Sequence, residues 1–252
     1  MSEAIRAENL VKSFGHVAAL NGVSMHVNRG ESLGILGDNG AGKSTLIKIL
    51  TGYHQPDAGQ VYVNGQPVTL GSVGEARALG IECVYQDLAL VNGLSIYHNL
   101  FLNRELLRPG PFRLLDHAAM RRRAAAALAD IGIAVASVDL EVGALSGGQR
   151  QAIAVARAVV SSDARILLLD EPLAAMGARE ARLIIDLIER LKARGDIALV
   201  MIAHNYAQTL EICDRIMLMQ HGEVTFESAA AETSAEQLLD IVRREYRAAR
   251  AG

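Results

Sequence analysis

The stretch that most restricts the fold of this chain is "SLGILGDNGAGKSTLIKIL", Ser32 to Leu50. A short apolar run reads as a strand buried on both faces. It feeds a glycine-rich loop that fits G-x-x-x-x-G-K-[ST], and helix-forming residues follow, with Gly52 suited to a left-handed C-cap. In that strand–loop–helix setting Gly37, Gly40 and Gly42 permit a tight backbone path, so the loop through Asn39 turns successive N–H groups toward phosphate oxygens. The helix opening at Lys43, Ser44 and Thr45 adds the positive end of its dipole. Lys43 is expected to reach the β and γ phosphates of a nucleotide, and the Ser44 hydroxyl to ligate Mg²⁺.

A second acidic feature stands far downstream. "ILLLDE", Ile166 to Glu171, carries an apolar run to two acids, as expected of a strand that brings them through a dry core to the open end of a sheet. Alternation along a strand predicts different jobs for the two. Asp170 suits the Mg²⁺ shell and Glu171 suits polarising a water. A plain strand end with solvated acids is the other reading, and the phosphate loop upstream favours the first.

"LSGGQRQ", Leu145 to Gln151, then poses a problem, because one nucleotide needs one cradle. With Ser146 as N-cap, this element opens a second helix whose terminus also suits an anion. Two such termini in one subunit could grip the same phosphates. The combination, however, resembles the nucleotide-binding subunits of ABC transporters, in which this motif meets the γ-phosphate held by the opposite subunit. The resemblance implies a dimer with two ATP molecules at its interface, and assigns Ser146, Gly147, Gly148 and Gln149 to the neighbour's ATP.

The resemblance covers nearly the whole chain. It implies that Phe14, in "VKSFG", stacks on adenine, although Tyr is more usual there. Gln86, closing "IECVYQ", matches the glutamine that contacts Mg²⁺ and links the core to the helical subdomain. His204, after "MIA", matches the switch histidine near the γ-phosphate. Two departures stand out: the family's "SALD" loop is here "AAMG", Ala174 to Gly177, so Gly177 replaces an Asp that crosses the interface, and Leu173 replaces a small hydroxyl residue. A closely similar "AALG" form belongs to the ATPases of simple-sugar importers, and the stretches "GDNGAGKST", "GIECVYQDLAL" and "LSGGQRQAIAVARA" resemble that subgroup as well. Many of those fuse two ATPase copies; this chain carries one, which implies a homodimer, and the short sequence after His204 leaves no appended regulatory domain expected.

The implied fold class is α/β: an ABC-type phosphate-loop NTPase core with a parallel sheet, an N-terminal antiparallel β-subdomain and an inserted helical subdomain. We expect a single domain over 1–252, with the core in 1–86 and 164–225, the helical subdomain in 87–163 and a C-terminal helix in 226–252. Asp116 is expected to cap a helix through Ile133. A further amphipathic helix is expected to gather Leu183, Ile184, Leu187, Ile188 and Leu191 on one face, with an Asp186–Arg190 pair. Leu88, Leu90, Val91 and Leu94 are apolar for a loop, which suits either a permease dock or internal packing.

Composition narrows the rest. A net charge of −3 gives no drive toward nucleic acid, and with 4% aromatic residues and no Trp there is little material for base stacking. No apolar run reaches the roughly 20 residues of a membrane span, and no export signal opens the chain. The expected place is the cytoplasm, peripheral on the inner membrane face beside transmembrane permease subunits and, indirectly, a solute-binding protein. Cys83 and Cys213 are expected to be reduced and to bind no metal. Alternatives are a soluble ABC-type ATPase acting on ribosomes or DNA, and a nucleotide-dependent kinase; the second leaves Leu145 to Gln149 unexplained. Sugar import is implied by resemblance alone, because the transported solute does not touch this subunit.

Overall fold

Every residue of Ser32–Leu36 is buried, and alternate side chains serve different cores: Leu33 and Ile35 join one apolar cluster, Leu36 the other. Ile166–Asp170 and Ala198–Ile202 divide in the same way, with Leu167, Leu169, Leu199 and Met201 on one side and Ile166, Leu168, Val200 and Ile202 on the other. Period-two alternation in strands covered on both faces produces this split. The computed structural model describes residues 2–160, 164–174 and 176–251, with side chains as far as residue 244. Asp163, Ala175 and all side chains beyond Arg244 lie outside the described residues.

In chain order the strands are β1 (Glu3–Phe14), β2 (Val17–Asn28), β3 (Ser32–Leu36), β4 (Ala58–Val63), β5 (Gln66–Val68), β6 (Ile81–Val84), β7 (Ile166–Asp170), β8 (Ala198–Ile202), β9 (Arg215–Gln220) and β10 (Glu223–Ala229). The helices are α1 (Lys43–Leu50), α2 (Val73–Ala78), α3 (Ile96–Leu100), α4 (His117–Asp130), α5 (Gly147–Val160), α6 (Ala178–Ala193), α7 (Tyr206–Ile212) and α8 (Ala235–Ala251). An antiparallel sheet runs β2-β1-β4-β5, and a six-stranded sheet runs β10-β9-β3-β8-β7-β6. In the second sheet β6, β7, β8, β3 and β9 are mutually parallel, and β10 closes one edge antiparallel. The ends of β3, β8, β7 and β6 therefore emerge along one sheet edge, where ligands of open parallel sheets bind.

Several expectations need correction. β1 and β2 are long strands of 12 residues each. α2, unanticipated, has a capped start: Glu75 N–H donates to Ser72 Oγ at 3.3 Å, and the Glu75 carboxylate accepts from Gly71 N–H, one residue before the cap, at 2.9 Å. Among its described residues the block 87–163 is helical in α3, α4, α5 and a short 3-10 turn at Val142–Ala144; proline and glycine in "RPGPF" interrupt it, and Phe112 stands 83% exposed there. Residues 226–234 are not the start of a helix, because Val224 and Phe226 alternate with Glu223, Thr225 and Glu227 in β10. In α6, Ile184, Leu187, Ile188 and Leu191 are buried, each worth roughly 1.5–3 kcal/mol. Leu183 points outward, and Asp186 pairs with Arg182 at 2.8 Å instead of Arg190, which lies against Gly132.

Asp116 does cap α4, accepting from Ala119 N–H at 2.9 Å. Cys83 and Cys213 are free thiols, both pushed up by burial, Cys213 to about 12. Leu88 and Leu90 pack against the core, whereas Val91 is exposed. Their backbone is held from α5 by Arg157, whose guanidinium donates to Leu88 O at 2.8 Å and Ala89 O at 2.7 Å.

The start of β9 is tied to β3 by an acid. Asp214 accepts from Ser32 N–H at 2.9 Å, from Ser32 Oγ at 2.7 Å and from Lys192 at 2.9 Å. Burial works to raise its pKa, but Ser32 and Lys192 outweigh it and hold the carboxyl below its ordinary value. A carboxyl depressed in the folded state adds stability above its unfolded pKa of about 4, and that contribution fades as pH falls through the folded value. Asp214→Asn is therefore expected to lower the melting temperature at pH 7, with the gap to the parent narrowing below about pH 4 in thermal melts.

Candidate active site

The phosphate loop follows β3 and is pinned by close backbone approaches. A Cβ on Gly37 would overlap Met219 O, and one on Gly42 would overlap Ala19 O; both residues sit at positive φ, 145° and 100°. Lys43, 6% exposed, is folded over this loop and donates from Nζ to Gly37 O at 2.6 Å and Asp38 O at 2.8 Å. Burial lowers its pKa, and the fields of Glu171, Asp38 and Asp170 work against that fall. A cation whose charged form is opposed by burial is poised to receive an anion. Ser44, in the first turn of α1, is exposed at the same edge, and so is Asn39 in the loop.

Asp170 is the last residue of β7, in register with Ile202 of β8. Burial raises its pKa, the neighbouring Glu171 adds to the rise, and Lys43 and Lys48 oppose it. Glu171 does not continue the strand. Its φ of 51° places it in the left-handed region, and its N–H donates to Ile202 O at 3.0 Å. A turn of backbone, and not alternation along a strand, sends the two acids in different directions. Such a conformation costs on the order of 1–3 kcal/mol in a non-glycine residue and is held here by its surroundings. It sets Glu171 Oε1 2.6 Å from His204 Nε2, just past the end of β8. An ionised carboxylate only accepts, so Nε2–H is the donor. Asn205 caps α7, its side chain accepting from Gln208 N–H at 3.1 Å.

Among the described residues no group of three or more His, Cys, Asp or Glu side chains could hold a metal alone. The donors fit Mg²⁺ nonetheless. That ion keeps waters and takes one or two carboxylates together with substrate phosphates. Asp170, whose charge is disfavoured by burial and by Glu171, gains from a cation beside it, and the exposed Ser44 hydroxyl stands one residue from Lys43. Gln86 is exposed just beyond β6, which ends at Val84 and not at Gln86.

Phe14 ends β1 and is 45% exposed, with its ring edge-on to His54 at 5.1 Å between centroids and Lys12 Nζ 5.6 Å from its centroid. Asp57 secures this tip by accepting from Lys12 Nζ and Ser13 N–H, each at 2.7 Å. Sequence reasoning missed Lys12, His54 and Asp57. The only available signal was Asp57 in the turn "QPDAG", whose partners lie far away along the chain.

The turn "SGGQ" opens α5 with a reciprocal cap: Gln149 N–H donates to Ser146 Oγ at 3.3 Å and Ser146 N–H to Gln149 Oε1 at 3.0 Å. Gly148 N–H donates to Glu180 Oε1 at 3.2 Å. The carboxyl of Glu180, on α6, is held below its ordinary value, first by Gly148 N–H, then against a small desolvation by Gly177 N–H and the Ser146 hydroxyl. Lys43 and Ser146 thus turn to different partners inside one subunit.

A family model described as ABC transporter matches residues 20–174. The xylose/arabinose import ATP-binding protein XylG of Sulfolobus acidocaldarius is 44% identical over 96% of this chain and 94% of that protein. The fructose import ATP-binding protein FrcA of Rhizobium meliloti is 43% identical over 86% of this chain and 85% of its own length. A ribose import ATP-binding protein, RbsA of Chromobacterium violaceum, is 38% identical, and the match spans 94% of this chain but 46% of that protein. Among solved structures, the ADP conformation of MJ1267, an ATP-binding cassette of an ABC transporter, aligns with a TM-score of 0.81 at 29% identity, covering 92% of this chain and 93% of its own. The dimeric post-hydrolysis state of the cassette MJ0796, bound to ADP and Pi, aligns with a TM-score of 0.74 at 25% identity, covering 90% and 98%.

Proposed function

Since this chain belongs to the ABC transporter family, we propose that it is the ATP-hydrolysing subunit of an importer of a small solute, a monosaccharide. Two identical copies close around two ATP molecules beneath a pair of transmembrane permease subunits, and a solute-binding protein delivers the sugar from outside. The subunit sits on the inner membrane face; no described helix is long and apolar enough to cross a membrane. The observation that carries this reading is the convergence of Lys43, Asp170, Glu171 and His204 at one edge of the parallel sheet, reached from β3, β7 and β8.

The residues divide the work by position. The loop from Gly37 to Gly42, with Asn39 and Gly40 at its crown, presents N–H groups to the phosphates, and Lys43 exchanges its two loop carbonyls for phosphate oxygens. Thr45 and Ser44 begin α1 beneath them. Ser44, Asp170 and Gln86 would hold Mg²⁺, which when bound would supply charge neutralisation for the phosphates. Glu171 has one oxygen engaged by His204, and the other orients a water in line with the γ-phosphorus. Phe14 offers its open face to adenine. From the partner copy, Ser146, Gly147, Gly148 and Gln149 bring the start of α5 to the γ-phosphate, where a helix terminus stabilises developing negative charge.

The test is isolation of the subunit with its permease and solute-binding protein, reconstituted in vesicles. ATP- and Mg²⁺-dependent uptake of a pentose or hexose is the expected result. Hydrolysis with no uptake of any of a panel of monosaccharides would remove the sugar assignment.

A further inference from the structure

The turn assigned to a neighbour's phosphate already holds an anion, and that anion belongs to the same chain. Glu180 reaches from the first turn of α6 to Gly148 N–H at 3.2 Å, and the nearby Ser146 hydroxyl helps to favour its charged form. Its backbone is equally close: a Cβ on Gly148 would stand 2.8 Å from Glu180 Cβ and 3.2 Å from its Cα, and one on Gly147 would be 3.6 Å from Oε1. Gly177, three residues before Glu180 in the loop expected to cross the dimer interface, contributes no side chain, and its backbone N–H helps to favour the charged form of the same carboxylate.

We propose that Glu180 is an internal stand-in for the γ-phosphate: it caps the start of α5 in the open subunit and must release Gly148 N–H before the partner's ATP can bind there. The inference rests on the sandwich reading above. Both anions need the same donor, and a carboxylate left in place would face a phosphate of like charge. The exchange also links two segments. Freeing Glu180 loosens α6 and the Met176–Gly177 loop from α5 at the moment the interface closes, so closure is opposed until ATP outcompetes the carboxylate. Arg150, whose guanidinium donates to Leu145 O at 3.0 Å and whose charge acts on Glu180, is placed to receive the displaced carboxylate.

ATP-driven dimerisation tests this, measured by sedimentation of the full chain in a Glu171→Gln background that slows turnover. Adding Glu180→Gln or Glu180→Ala is expected to lower the ATP concentration for half-maximal dimerisation roughly two- to fivefold, the range of an exposed charge contact. ATP affinity of the monomer, read at protein concentrations too low to dimerise, should stay unchanged. If Glu180 merely props up the turn, both variants dimerise less readily, and that sign, or no change, overturns the proposal while leaving the sandwich intact. Failure of the Glu171→Gln parent itself to dimerise with ATP removes the sandwich and this inference with it. Thermal melts of both variants confirm that they are folded.

Discussion

Glu171→Gln is expected to bind ATP with the affinity of the parent and to hydrolyse it roughly 10²- to 10⁴-fold more slowly, the range of a lost general base. The exchange is nearly isosteric. Glutamine keeps an oxygen that accepts from His204, now 2.6 Å from Glu171 Oε1, and it inherits the same left-handed backbone with φ of 51°. What disappears is the charge that polarises water. The residue sits beyond the loop that grips phosphate, so binding is spared and the loss falls on kcat, which marks an interaction made in the transition state. Single-turnover and steady-state assays on the complete transporter check this. Unchanged turnover would take Glu171 out of the mechanism.

Gly148→Asp is expected to lower hydrolysis by roughly 10²- to 10³-fold, as when one donor to developing charge is lost, while ATP binding to the isolated subunit persists. The new Cβ would lie 2.8 Å from Glu180 Cβ, and the carboxylate would crowd both Glu180 and an arriving phosphate. Gly148 is itself buried and that spacing forces a local shift of α5 against α6, so thermal melts are needed to show that the variant is folded before its activity is read. Mixing supplies the sharper measurement. Lys43→Ala and Gly148→Asp subunits are each inactive alone, yet a mixed dimer contains one composite site with both native residues. Recovered hydrolysis in the mixture supports sites shared between subunits; an inert mixture is the outcome for sites confined to one chain.

The parts of the fold that were legible are those whose cause is local. Apolar runs of strand length gave β3, β7 and β8, and helix formers behind Asp116 gave α4. Where the reading went astray, tertiary context intervened. Leu183 follows the period of the α6 stripe yet lies at its margin, exposed, and Asp186 had a basic residue on each side along the helix, of which Arg182 prevailed because Arg190 is drawn to Gly132. β10 escaped notice because its alternation is short and only part of one face is covered. The residues around Phe14 were invisible for a different reason: Asp57 reaches Lys12 across 45 positions of chain.

By itself the sequence determined which chemical groups this protein owns and the local shape of each: a glycine loop opening a helix, a strand ending in Asp170 and Glu171, and a Ser146–Gln149 box opening another helix. Such features depend on neighbours within a turn or two, where backbone hydrogen bonding and side-chain period decide the conformation. Tertiary structure alone decided that the ends of four parallel strands share one edge, that Glu171 turns out of β7 to meet His204 across 33 residues, and that Glu180 covers Gly148 across 32. Those meetings arise from strand order and helix packing, which join segments that carry no mark of one another in the chain.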